Sequence, residues 1–171
     1  MPESCSGEQE EIMGEFMARY FAHGGRVTRK TMWIGMIPLV IIAIVLEILL
    51  TVLFGGGAGI TFSIGELTAG GGGHASAGDG WRQLFILAIL AYPVSALLFK
   101  RSHDLNVSGI LVAIYLILAA FSYILLILGL APSWFAGGVN IVMALLGLYL
   151  FVTLGFLPGT KGSNLYGAEP E

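Results

Sequence analysis

Four stretches of this chain are apolar almost without interruption: Met32–Phe54, Gln83–Phe99, Ile110–Leu130 and Val139–Leu157. Runs of that length leave few folds open. A helix that crosses hydrocarbon needs about 17–25 apolar residues; the first and third runs reach that comfortably, the fourth is adequate and the second is short. Only 11% of the chain is charged, where a soluble domain carries roughly 25%. The fold class expected is an all-α membrane protein with four transmembrane helices. Trp33, Trp81 and Trp134 stand at ends of the runs, where tryptophan favours the membrane interface. Pro38 and Pro93 fall inside runs, which neighbouring helices tolerate by satisfying the freed carbonyls.

Ahead of the first run, Ile12, Met13, Phe16, Met17, Tyr20 and Phe21 recur at helical spacing, which lines one face of a helix. Ser6 with Gln9 has capping-box spacing, and Glu8, Glu10 and Glu11 suit the positive end of a helix dipole. An N-terminal amphipathic interfacial helix is therefore expected, set against the alternative of a helix packed on its own bundle. The layout reads as a polar tail over 1–7, the amphipathic helix over 8–24, a membrane domain over 25–167 and a short tail over 168–171. Within the domain the spans are 32–54, 83–99, 110–130 and 139–157. The acidic start and the length of the first run argue against a cleaved signal.

Bases sort by side. Arg19, Arg26, Arg29 and Lys30 precede the first span, Lys100 and Arg101 lie between the second and third, and Lys161 follows the fourth; Arg82 alone falls on the other side. Basic residues stay in the cytoplasm, so both termini are expected there and the protein in the inner membrane. The loop Gly55–Gly80 reads as a glycine-rich coil, and His74 with Asp79 falls short of a metal site. The single Cys5 excludes an internal disulfide.

Three patches share the basic side: Gly25–Lys30, the polar break Lys100–Ser108, and Pro158–Gly167. Together they give a candidate functional cluster of Arg26, Arg29, Arg101, His103, Asp104, Ser108, Lys161, Asn164 and Tyr166. Asp104 is expected to be shared among nearby guanidinium groups, Arg26 or Arg29 among them, or to cap the third span. Within the membrane the polar residues are Glu47 and Asn140; Glu47 is expected to snorkel or to meet Arg82. Small residues at Ala88, Ala91 and Ser95, and at Ala136, Asn140, Ala144 and Gly147, suit close approach of the second and fourth spans, or of a second copy.

The three patches resemble motifs of the domain of unknown function 805 family of small bacterial membrane proteins. The matching residues are Tyr20-Phe21 with Gly25-Arg26, Arg29 and Trp33; then Arg101, His103, Asp104, Ser108 and Gly109; then Gly159, Thr160, Gly162, Asn164, Tyr166 and Gly167. The resemblance runs from about Ala18 to Gly167. The long glycine-rich loop and the Asn106-Val107 pair depart from the usual pattern. The resemblance implies a multi-pass bacterial membrane protein and no particular activity.

Three functions stay open. The first is a non-enzymatic module that binds membrane lipids, anionic headgroups above all, or another membrane protein. A small-solute or ion transporter would rest on Glu47 and Asn140. A membrane-interface enzyme would rest on His103 and Asp104. No catalytic residue, cofactor or metal is assigned, nucleic acid is excluded as a partner, and a homo-oligomer is left open.

Overall fold

The computed structural model describes residues 3–54, 77–130 and 133–170. Five helices make up the described chain, in the order α1 (Glu3–Phe21), α2 (Arg29–Phe54), α3 (Ala77–Asp104), α4 (Ile110–Ile127) and α5 (Ser133–Phe156). Helices α2 to α5 are each long and apolar enough to cross a membrane, and the chain is a multi-pass membrane protein. The loop expected to be a glycine-rich coil lies outside the described residues up to position 76, as do the side chains of Trp134 and Ala136.

Local chemistry sets the helix ends. Thr28 precedes α2 and its hydroxyl accepts from Thr31 N at 3.2 Å, an N-cap that satisfies one orphan amide. At the end of α3, Val107 N donates to Ser102 O and Asn106 N to His103 O, each at 3.0 Å. This paired pattern needs a left-handed residue at the turn, which Asn106 supplies with φ 57°. Gly109 then starts α4 with no side-chain cap. A Cβ there would collide with the Phe99 ring.

Several boundaries differ from the sequence reading. The break Lys100–Ser108 is not a nine-residue turn, because α3 stays helical through Asp104. Lys100, Arg101, Ser102, His103 and Asp104 all find partners in the fold, so none of them ends the helix early. The first helix is already running at Ser6 and stops at Phe21, so Ser6 does not mark its start. Gly24 and Gly25 lie in the segment that follows, with Gly25 at φ 88°, a left-handed conformation that glycine adopts without strain.

Helix α3 is the axis of the bundle, packed chiefly on α4 and α2, while α5 leans on α4 and touches α3 only slightly. The small-residue stripe of α3 therefore does not serve mainly as a seat for α5; Ser95 on that stripe meets His23 instead, at 3.0 Å. One apolar cluster joins Tyr20, Leu39, Leu90 and Leu97, and a second joins Val27, Met32, Val112 and Leu154. Gly35 lets α2 approach α3, since a Cβ would lie 3.1 Å from Leu97 Cδ1.

At the far end of the bundle from Asp104, Glu47 of α2 is buried and meets Arg82 of α3 at 3.2 Å. Gln83 donates to its other oxygen at 3.1 Å, and Arg82 also pairs with Asp79 at 2.9 Å. The carboxylate is thus paired by the residue the sequence suggested. Arg82→Leu is expected to destabilise the detergent-solubilised protein by about 3–5 kcal/mol, the usual cost of orphaning a buried charge. Glu47→Leu should cost less, because Arg82 keeps Asp79, and the double Leu variant should recover most of the loss. Thermal unfolding of the three variants tests this; equal effects from the two single variants would contradict it.

Candidate functional site

The charges of the three sequence patches converge at the C-terminal end of α3, and the geometry shows what holds them there. Asp104 sits on the last turn of α3 with its side chain 5% exposed. A carboxylate this buried requires partners for its oxygens. Arg26, from the segment between α1 and α2, approaches one oxygen side-on, with Nη2 at 2.9 Å and Nε at 3.1 Å. Arg101, one turn back on α3, donates to the other oxygen and is fully buried. The expected sharing of Asp104 among guanidinium groups is thus met by Arg26 and Arg101; what the sequence did not show is that both are buried, since a base at a span end ordinarily faces headgroups.

Both guanidiniums are then saturated by backbone. Arg26 also donates to Gly162 O at 2.6 Å, to Gly167 O at 3.3 Å, and to the carbonyl and hydroxyl of Thr160. Arg101 donates to Leu154 O at 2.8 Å and to Leu157 O. The second set has a clear physical cause. A helix leaves its last carbonyls without intrahelical donors, and here α5 ends at Phe156. Arg101 takes Leu154 and Leu157, the Trp33 indole takes Gly155 at 3.3 Å, and Arg29 takes Phe156 at 2.9 Å. Four successive carbonyls are met by three side chains from other elements, and the cations suit the negative end of the dipole.

The tail after α5 folds back over Asp104. Thr160 N and its hydroxyl both donate to Asp104 O at 2.9 Å. Asn164 Nδ2 donates to His103 O at 2.8 Å, while its Oδ1 accepts from Tyr166 N at 2.9 Å; a short amide side chain bonding backbone two residues on makes a tight turn. Tyr166 then stacks on the His103 ring, centroids 4.0 Å apart and planes 7° from parallel. His103 Nδ1 lies 3.3 Å from Gly25 O. The imidazole and the Asp104 carboxylate thus face different partners.

Of the nine residues the sequence grouped, the structure draws Arg26, Arg101, His103, Asp104, Asn164 and Tyr166 into one knot. Arg29 joins it through α5 and does not bond Asp104. Ser108 and Lys161 are exposed and lie outside the network. Asp104 does not cap α4. Asn140 is exposed near the other end of α5. Residues the sequence did not single out include Thr160 and Gly159, which only their place in the third motif could have flagged, and Lys100. The Lys100 ammonium is buried and donates to Ala18 O and Arg19 O, so it ends α1 rather than facing water. Among the described residues no group of three His, Cys, Asp or Glu side chains is arranged to hold a metal ion.

A family model described as a protein of unknown function, DUF805, matches residues 20–168. That stretch contains every residue of the knot. No curated protein and no solved structure matches the chain.

Proposed function

The chain belongs to the DUF805 family of proteins of unknown function, and on that premise we propose that it is a non-enzymatic module of the bacterial inner membrane that binds anionic lipid headgroups. In this reading the Asp104 end of the bundle and both termini are cytoplasmic, because seven of eight bases belong to that side and basic residues stay in the cytoplasm. Helix α1 lies along the same interface.

The observation that carries the proposal is how the cations divide. Arg26 and Arg101 are consumed by Asp104 and by backbone carbonyls, so they build a rigid platform and are not offered to ligands. Arg29, Lys30 and Lys161 are exposed at that same end. A base near an anionic surface contributes roughly 1 kcal/mol of attraction. An enzyme built on His103 and Asp104 is less well supported, because the two side chains do not address each other. A relay through Glu47 is less well supported because that carboxylate is engaged by Arg82 and Gln83.

Native mass spectrometry of the protein purified in mild detergent tests the reading. Wild type should retain anionic lipid in preference to zwitterionic lipid. Lys30→Gln with Lys161→Gln should weaken that retention by about tenfold or more, from two contributions of roughly 1 kcal/mol each, with the melting temperature unchanged. Absence of any preference in wild type, or full retention in the double variant, would refute it.

A further inference from the structure

Helix α1 is bonded to the bundle at its last turn, and the face it uses there continues along its length. Tyr20 is 7% exposed, and its hydroxyl donates to Gly35 O at 3.1 Å. Met17, Phe16, Met13 and Ile12 lie three, four, seven and eight residues before it, which on a helix is the same stripe. Their exposures are 49%, 49%, 61% and 68%. The stripe that seats Tyr20 on the bundle thus runs on toward the N-terminus as an increasingly exposed overhang.

The height of that overhang identifies what lies there. Lys100 holds the carbonyls of Ala18 and Arg19, and the Tyr92 hydroxyl donates to Phe21 O at 3.0 Å. These anchors stand about 6 and 18 Å from Asp104 along the α3 axis at 1.5 Å per residue, on the membrane side of the charged knot. Phe21 packs on the exposed Tyr92 ring at 5.7 Å, and Phe16 packs on Tyr20 at 4.9 Å. The aromatic contacts therefore run from α1 onto the outer flank of a membrane-crossing helix, where the neighbour is lipid.

Charge works against that seat. Helix α1 holds five glutamates and one arginine. Glu15 is exposed and lies ~140° round the helix from Tyr20 at 3.6 residues per turn. Interfacial helices that rely on anionic lipid carry basic polar faces; this one is acidic. We infer that α1 is held in the leaflet by its apolar stripe against the charge of the surface, so that anionic lipid lifts its N-terminal part while Lys100 and Tyr92 keep its end tethered. The inference rests on the reading of α1 as an interfacial helix. It gives one molecule two responses of opposite sign, attraction at the exposed lysines and repulsion at α1.

Full-length protein carrying Cys5→Ser, with a fluorophore on a cysteine placed at Met17 or at Glu15, would be reconstituted in vesicles. Lipid-chain nitroxide and aqueous iodide serve as quenchers. In phosphatidylcholine the Met17 label should be quenched by nitroxide about threefold more than the Glu15 label, as a face buried in the acyl boundary requires. Raising phosphatidylglycerol at low salt should cut nitroxide quenching at Met17 by about half or more, and high salt should restore it, since surface charge is screened over roughly 10 Å at 0.1 M. Glu8→Gln with Glu10→Gln and Glu11→Gln should abolish the dependence. Shielding of Met17 from both quenchers, or access by iodide alone in phosphatidylcholine, would overturn the interfacial reading itself. Equal nitroxide quenching at every lipid charge would leave that reading standing and overturn the charge inference alone.

Discussion

Asp104→Ala is expected to be the most damaging single substitution at the charged end of the bundle. Its loss would strand Arg101, which is fully buried, and Arg26, whose side chain is 1% exposed, without their shared carboxylate. Breaking a buried pair from one side costs about 3–5 kcal/mol, because the remaining charge stays desolvated, and here two charges are stranded. The tail should loosen as well, since Arg26 ties Thr160, Gly162 and Gly167 to the same centre. Thermal unfolding in detergent measures the first effect and limited proteolysis after Phe156 the second. A double-mutant cycle separates the arginines. Asp104→Ala with Arg26→Ala should show coupling well above about 0.5 kcal/mol, the ordinary limit of additivity, whereas Asp104→Ala with Arg29→Ala should be additive. Arg29 bonds Phe156 O, not the carboxylate. Additivity with Arg26, or coupling confined to Arg29, would show that the knot is wired differently.

Gly159→Ala should be the second large effect. A Cβ at that position would press on both carboxylate oxygens and the carboxyl carbon of Asp104. An overpacked side chain ordinarily moves aside at a cost of about 1–3 kcal/mol. Here it is gripped from two directions by arginines, so the tail must move instead. That would break the Thr160 and Asn164 bonds and separate Tyr166 from His103. Destabilisation near the top of that range or beyond is expected, with tail cleavage as rapid as in Asp104→Ala. Gly24→Ala is the control: its Cβ would meet nothing within 4 Å, and melting should stay within experimental scatter. Comparable melting of the two glycine variants would place the Asp104 carboxylate elsewhere in the folded protein.

How far these features were legible from residues alone differs from one to the next. Hydropathy is summed locally, so four membrane-length helices follow from composition along the chain, and with them the gathering of all three motifs at one end. The pairing of Glu47 with Arg82 was also accessible, because Glu47 is the only acid inside the first span, Arg82 is the only base on its side of the bundle, and membrane burial forces such groups together. The second span read as short because Arg82 and Lys100 look like ends. In the fold both are buried and partnered, and α3 runs past them.

Which way a cation points was not legible. Arg26, Arg29, Lys30, Lys100, Arg101 and Lys161 are indistinguishable as bases beside apolar runs, yet Arg26, Lys100 and Arg101 turn inward, Arg29 stays exposed while donating to a backbone carbonyl, and Lys30 and Lys161 remain exposed. What divides them is the position of the carbonyls at the ends of α1 and α5, and of one carboxylate on α3. Orphan carbonyls belong to every helix end whatever its side chains, so their demand leaves no residue pattern to read. The sequence by itself determined that the chain lies in a membrane and which segments share a face. Tertiary structure alone decided that Asp104 takes Arg26 and Arg101 and leaves Arg29 to α5, because that choice depends on distances of a few ångströms between groups up to 127 residues apart.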